Sequence, residues 1–347
     1  MSRNTVIIPA YNCSKTILQT IEAVKKQEGL AEPPEIIIVD DGSNDNTLDV
    51  LNQIKDIKVL SQSNSGPASA RNNGAKASSG DILVFTDSDT VPHKDWLKNL
   101  TEPFSDSDIA ASTGTYSIEN SESKLASLIQ YEIGNKHSKY KDYVAFGGSY
   151  NLAIRRDLFF SIGGFNEEYK SASGEDVDIS YKILKRGHKI KFVKDAVVGH
   201  FHPECLVKYL KTQFKHGFWR AKLYYDHPKK LTGDDYTGHK EAFETVFSGL
   251  TIISPLIIFA EFLLNHHFET IKKTQNNTNI FKLIIKYFPL FSLIFLFYTE
   301  FAFVSQLYDN TINNKPYLPS KYYAVFVFSL RAIYRTLGFI KGLIHFI

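Results

Sequence analysis

From Thr5 to about residue 200, short apolar runs alternate with amphipathic stretches, and each apolar run stops in polar residues. Thr5-Val6-Ile7-Ile8-Pro9 ends in Ala10-Tyr11-Asn12, and Glu35-Ile36-Ile37-Ile38-Val39 ends in Asp40-Asp41-Gly42-Ser43. Runs this short, closed by turn formers, predict strands. Between them Ile17, Leu18, Ile21 and Val24 recur with helical period over Ser14 to Gln27, with Ser14 as N-cap and Gly29 just past the end. The pattern then repeats: a helix over Thr47 to Ile54, a strand over Ile57 to Leu60, a proline-opened helix over Pro67 to Ala77, and a strand over Asp81 to Thr86. Such a series predicts an α/β fold, a mainly parallel sheet flanked by helices. Parallel sheets gather their loops at the carboxyl ends of the strands, so Asp40, Asp41, Asp87 and Asp89 are expected in one crevice.

Asp87-Ser88-Asp89 follows the last of these strands. Two carboxylates one residue apart give part of the oxygen shell of Mg2+ or Mn2+, the rest coming from water and nucleotide phosphates. The same triplet also occurs as a solvated turn. Glu175 and Asp176 open a segment in which Ile179, Ile183 and Leu184 have helical period, where the helix dipole alone favours acids. Arg71 carries a guanidinium suited to a phosphate, to the rim of a base, or to a surface ion pair. Asp41 either turns its loop or helps to hold a ribose.

Six ordered motifs resemble those of the family 2 glycosyltransferases with the GT-A fold, the nucleotide-diphospho-sugar transferase fold. They are Val6 to Asn12, Ile38 to Ser43, Gly66 to Asn72, Phe85 to Asp89, Gly163-Gly164-Phe165 and Gly174-Glu175-Asp176. The resemblance implies that Pro9, Ala10, Tyr11, Asn12 and Asp40 hold the nucleobase and ribose; Asp41, Arg71, Asp87 and Ser88 are further candidates for the donor. It implies that Asp87 and Asp89 hold the metal on the diphosphate, and that Asp176 is the base. A cation between the phosphates stabilises the leaving group, and a carboxylate on the opposite face of the sugar accepts the acceptor's proton. One base and no enzyme nucleophile means inversion at the anomeric carbon. Glu175 is then an orienting or acceptor-side neighbour.

His200 and His202 follow the strand-like Ala196-Val197-Val198. An imidazole there, His200 ahead of His202, can complete the metal shell as in some relatives, although histidines near a reversal at Pro203 also serve structure alone. Gln213 to Arg220 is only loosely similar to the acceptor-side Q-x-x-R-W signature of processive members. Its order, Trp219-Arg220, departs from that signature and argues against long-chain polymer synthesis. Trp219 and Arg220 are expected on an amphipathic helix at a membrane surface or the acceptor mouth, or on a helix packed against the domain.

Charge thins after about residue 246: Phe247 to Ile347 holds nine Lys or Arg and four Asp or Glu. A catalytic domain over residues 1–245 and a hydrophobic helical, membrane-associated region over 246–347 are therefore expected. Tyr287 to Tyr308 is long enough to cross a bilayer; Tyr322 to Ile347 is as long but contains Arg331, Arg335 and Lys341, so it spans with snorkelling ends or lies in the interface. Leu250 to Leu264 is broken by Pro255 and Glu261 and reads as interfacial. A helical cap buried on a soluble domain is the alternative for all three. Two cysteines are too few for a disulfide framework, and Met1 runs straight into the first strand, leaving no room for a signal peptide. Lys272, Lys273, Lys282 and Lys286 precede the better span and place the catalytic domain on the cytoplasmic side of a cell membrane.

A dehydrogenase needs G-x-G-x-x-G after the first strand, and a nucleotidyltransferase a glycine-rich, arginine-containing loop; Pro9-Ala10-Tyr11-Asn12 is neither. The expected partners are a nucleotide-diphosphate sugar, a UDP-sugar first, with a polyprenyl-linked or glycan acceptor and a membrane, and no nucleic acid. A catalytically silent nucleotide-sugar-binding scaffold is the alternative from another class.

Overall fold

The computed structural model describes residues 3–230, 245–246, 248–250, 252, 279–309 and 319–346. Two compact units divide the chain, Met1–Glu204 and Cys205–Ile347. In the first unit the strands are β1 (Asn4–Ala10), β2 (Glu35–Asp40), β3 (Lys58–Ser61), β4 (Ile82–Thr86), β5 (Thr90–Pro92), β6 (Ala111–Ile118), β7 (Tyr143–Val144), β8 (Asn151–Arg155) and β9 (Ile190–His200). Its helices are α1 (Ile17–Lys25), α2 (Thr47–Asn52), α3 (Pro67–Ala77), α4 (Trp96–Thr101), α5 (Lys124–His137), α6 (Arg156–Ser161) and α7 (Glu175–Lys185).

The sheet runs in the order β3-β2-β1-β4-β8-β6-β9-β5, with β7 paired to β9. Its first half is parallel as expected, β2 lying between β1 and β3 and β4 against β1. Beyond β4 the sheet is mixed: β8 is antiparallel to β4 and β6, and β5 is antiparallel to β9. After the Asp87-Ser88-Asp89 turn the chain leaves β4 and lays β5 on β9, with Thr90 opposite His200. That pairing brings β9's last residue to the acidic turn.

Side chains alternate across the strands, yet both faces are covered, so the strands read as continuous apolar runs. Val6, Ile8, Ile36, Ile38, Ile82 and Val84 pack with Ile17, Ile21 and Val24 of α1 and Trp96, Leu97 and Leu100 of α4. On the other face Ile7, Leu83 and Phe85 meet Leu158 and Phe159 of α6 and Ile179 and Ile183 of α7. Phe85 stands edge-on to Phe165 at 5.1 Å. Burying one such side chain contributes roughly 1.5–3 kcal/mol.

Helix α1 starts at Ile17, the first of its periodic apolar residues, with Thr16 before it, and Ser14 does not cap it. Ser14 instead donates from its amide and its hydroxyl to Asp45 Oδ2, at 3.2 and 2.8 Å, which ties the loop after β1 to the loop after β2.

The second unit contains α8 (Leu206–Asp226), α9 (Asn279–Asp309) and α10 (Lys321–Phe346). Helices α8 and α10 cross backbone to backbone: a Cβ on Gly217 would run into the Arg335 carbonyl, and one on Gly338 into the Phe214 carbonyl. Arg335 Nε donates to Gln213 Oε1 at 2.7 Å across the same seam. This packing groups α8 with the C-terminal helices, so the compact boundary falls after Glu204, ahead of the change in charge near residue 246. Tyr287 to Tyr308 lies inside α9. Among the described residues one helix, α10, is long and apolar enough to cross a membrane, and half of its apolar window is buried within the structure. Arg331 does not snorkel: it is 1% exposed, its guanidinium 4.2 Å from the Phe328 ring centre. The segment expected to be interfacial, 250–264, lies almost wholly outside the described residues.

Candidate active site

The loops after β1 and β2 are stitched together before they can meet a ligand. Asn12 takes a left-handed backbone, φ +49°, which asparagine tolerates better than most residues. Its amide donates to Ser43 Oγ at 3.0 Å, and its Oδ1 accepts from the Asn44 amide at 2.7 Å. The Asp41 amide donates to the Ala10 carbonyl at 2.8 Å. Pro9 and Ala10 end β1, and Tyr11 leaves a half-exposed ring at its tip. Asp40 is buried at the end of β2, with the Ser43 amide 3.4 Å from both of its oxygens.

Asp41 is buried, and its side chain reaches the segment ahead of α3. Its carboxylate accepts from Gln62 Nε2 at 2.7 Å, from the Ser65 amide at 2.8 Å and from the Gly66 amide at 2.9 Å, just before α3 begins. Three donors on one buried carboxylate fix the entry to α3.

Helix α3 carries Arg71 inward. The side chain is buried, not on the surface: Nη2 donates to Asp87 Oδ1 at 2.7 Å and Nη1 to Glu175 Oε1 at 3.1 Å. Burial opposes its charge, but Asp87, Glu175 and Asp176 outweigh that and raise its pKa. The next residue, Asn72, accepts from the Phe165 amide at 3.0 Å and donates to the Phe165 carbonyl at 2.9 Å. Adjacent residues on one helix thus hold the acidic turn, the Gly163-Gly164-Phe165 loop and the start of α7.

Gly174 precedes α7 at φ +99°, a conformation costly for any residue with a Cβ. Glu175 is buried, accepting also from the Ser173 amide at 2.7 Å, so it orients the turn from within and presents no open face. Asp176 is half-buried, and its Oδ2 faces the Ser149 amide at 3.2 Å and the Ser149 hydroxyl at 3.3 Å. Burial pushes the Asp176 carboxyl up, while Arg71 and the Ser149 amide pull against it. Glu175 is also pushed up, by burial and then by Asp176.

Ser88 is half-buried near the buried Cys13 thiol. Asp89 Oδ1 lies 3.7 Å from His200 Nε2, as the β5–β9 pairing dictates. Asp87, Asp89 and His200 are not closed into a ready-made cage: among the described residues no group of three or more His, Cys, Asp and Glu side chains is so arranged. His200 meets His202 with their Nδ1 atoms 3.1 Å apart.

Three site residues carry no motif. Tyr116 of β6 stacks on Tyr150 with ring centres 3.6 Å apart and stands 4.9 Å from the His200 ring. Burial, then Tyr150 and the charges of Asp87, Asp89 and Asp176, push its phenol pKa well up. Ser149 lies in the turn that leads into β8, after Gly147-Gly148, and the Gly-Gly-Ser run is its one visible signal. Gln130 of α5 meets His202 Nε2 at 2.9 Å. A cavity of about 470 Å3 lined by Glu22, Lys26, Lys94 and Glu119 touches none of these groups, so the convergent polar chemistry marks the site better than empty volume does. Trp219 and Arg220 lie on α8 in the second unit, where Trp219 packs 5.8 Å from Phe346.

A family model described as Glycosyl transferase family 2 matches residues 5–161. The pre-mycofactocin glycosyltransferase of Mycobacterium tuberculosis is 29% identical over 236 residues, 65% of this chain and 48% of that protein. The poly-beta-1,6-N-acetyl-D-glucosamine synthase of Staphylococcus aureus is 30% identical over 213 residues, 58% of this chain and 50% of that protein. The chain therefore spans about half the length of these relatives. Among solved structures, the mannosyltransferase PcManGT from Pyrobaculum calidifontis in complex with GDP-Man and Mn2+ superposes with a TM-score of 0.56 at 16% identity, covering 99% of this chain and 87% of that one. At that identity the likeness is one of fold. With the mixed sheet and the strand-end carboxylates in place, residues 5–161 belong to glycosyl transferase family 2, and the chain has the GT-A fold.

Proposed function

We propose that this chain is an inverting glycosyltransferase that moves a sugar from a nucleoside-diphosphate donor to an acceptor hydroxyl, in lipid-linked or cell-surface glycan assembly. One observation carries the reading: Arg71 binds Asp87 and Glu175 together, setting the acidic turn beside Asp176. One curated relative is a glycosyltransferase by name and another a poly-beta-1,6-N-acetyl-D-glucosamine synthase, and the fold neighbour is a mannosyltransferase in complex with GDP-Man and Mn2+.

The residues present fit a divalent cation. Asp87 and Asp89 offer hard oxygens and His200 an imidazole nitrogen, a donor set that suits Mn2+ or Mg2+ with phosphate oxygens filling the remaining positions. Those three residues would hold it, and bound there it would neutralise charge developing on the diphosphate. The chain's own groups do the rest. Pro9 to Asn12 and Asp40 form the nucleoside wall, and Arg71 holds Asp87 in place. The Asp176 carboxylate takes the proton from the acceptor oxygen as that oxygen attacks the anomeric carbon, a contribution of typically ~10² to 10⁴. Burial raises its basicity, which suits this task near neutral pH.

The α10 helix supports membrane association, which suits a polyprenyl-linked or glycan acceptor with the catalytic unit on the cytoplasmic side. A panel of UDP-, GDP- and dTDP-sugars, UDP-sugars first, tests the assignment by Mn2+-dependent release of the nucleoside diphosphate from the full chain. Release from one donor that stops with EDTA is expected. Tight donor binding with no turnover on any donor would favour the silent scaffold instead.

A further inference from the structure

A file of hydrogen bonds runs from α5 to the acidic turn. Gln130 Nε2 donates to the Tyr116 carbonyl at 2.9 Å, which fixes the amide so that Oε1 is the atom facing His202 Nε2, 2.9 Å away. An amide oxygen only accepts, so His202 Nε2 carries a hydrogen. His202 is buried, its amide donating to Asn120 Oδ1 at 3.0 Å and its carbonyl accepting from Asn120 Nδ2 at 2.8 Å. Its bonded partners are Asn120, Gln130 and His200, no carboxylate among them, and a buried ring without a counter-charge is neutral. A neutral imidazole has one N–H, which leaves His202 Nδ1 as an acceptor. The atom it faces at 3.1 Å, His200 Nδ1, must therefore be the donor. In a neutral ring that leaves the lone pair on His200 Nε2, 3.7 Å from Asp89 Oδ1, a separation too long for a hydrogen bond.

We infer that Gln130 and His202 are positioning residues that lock His200 in its Nδ1–H tautomer, so that the Nε2 lone pair is presented beside Asp89 to a divalent cation. Neither residue touches the cation; each acts by fixing which nitrogen of the next ring is bare. Metal-bound histidines commonly have their second nitrogen held in this way, and loss of the partner lowers metal affinity about 10- to 100-fold. The inference rests on the metal-dependent reading of the site proposed above.

The test is Mn2+ binding to the full chain, read by electron paramagnetic resonance in the presence of UDP and then of GDP. His202→Leu should weaken Mn2+ binding about 10- to 100-fold, whereas His202→Asn, whose side-chain oxygen can accept from His200 Nδ1, should stay within about threefold of the wild type. Gln130→Leu, at a half-buried helix position, gives a second variant should His202→Leu not fold, and it should also weaken binding. In the histidine-labelled wild type, ring-nitrogen magnetic resonance should show His200 protonated on Nδ1 and His202 on Nε2. The opposite tautomers would overturn the inference. So would wild-type Mn2+ affinity in both His202→Leu and Gln130→Leu while His200→Ala is weakened. Equal loss in the Asn and Leu variants, both folded by circular dichroism, would reduce His202 to a packing role and overturn it as well. An affinity unchanged by His200→Ala sinks the metal assignment of His200 itself, a different failure.

Discussion

Arg71 and Glu175 are 104 residues apart in the chain and 3.1 Å apart in the fold. Their side chains are 2% and 1% exposed, and the other arm of the same guanidinium holds Asp87. A planar fork can serve two carboxylates on two elements; an ammonium cannot reproduce both angles.

Arg71→Met should therefore destabilise the first unit by about 3–5 kcal/mol, because it strands a buried carboxylate. Adding Glu175→Gln should recover part of that loss, since the remaining group is neutral. Urea unfolding of the single and double variants checks this, and additive losses would mean the two residues are not coupled.

Asp176→Asn should lower kcat by ~10² to 10⁴ with donor KM nearly unchanged, since the donor contacts proposed above lie elsewhere. A collapse of donor affinity with kcat preserved would reassign Asp176 to binding.

The pH profile carries a sign. A base works deprotonated, and burial holds the Asp176 pKa above the ordinary carboxylate value, so kcat should fall with acid through that raised pKa. Ser149→Ala removes a hydroxyl 3.3 Å from Oδ2 that favours the charged form, so the acid limb should move further up. A limb that moves down contradicts the contact.

Asp89→Ala should abolish both Mn2+ dependence and donor turnover while leaving thermal unfolding close to wild type, because the side chain is partly exposed at a turn. Full activity of this variant in EDTA would remove the metal from the reading.

Gly338→Ala pits two effects against each other. Helix propensity gains about 1 kcal/mol; forcing a methyl group against the Phe214 carbonyl costs about 1–3 kcal/mol. Net destabilisation is expected, with faster hydrogen exchange in α8. A stabilised variant would mean that α8 and α10 separate readily.

The parallel half of the sheet was legible because each strand is local and continuously apolar, and α3 was placed from Pro67 to Ala77 by its proline start. The antiparallel half was not. β5 is a three-residue strand whose partner lies over a hundred residues away, so no local pattern announces that Thr90 sits opposite His200. The acidic motifs were visible as motifs. What Arg71 does was hidden, since a guanidinium buried between carboxylates and one on a surface look alike in a sequence. Tyr116 and Gln130 were missed for a related reason: an aromatic on a strand and an amide on a helix are ordinary until their neighbours are known.

The glycine seam between α8 and α10 has a consequence for biosynthesis. Gln213 and Arg335 are 122 positions apart, and a ribosome adding about 5–20 residues per second takes roughly 6–24 s to travel between them. For that interval the aromatic flank of α8, with Phe214 and Phe218, is made but its mate is not. A nascent chain in this state needs shelter, from a lipid surface or a holding chaperone, and the α8–α10 crossing closes only after α10 has left the exit tunnel.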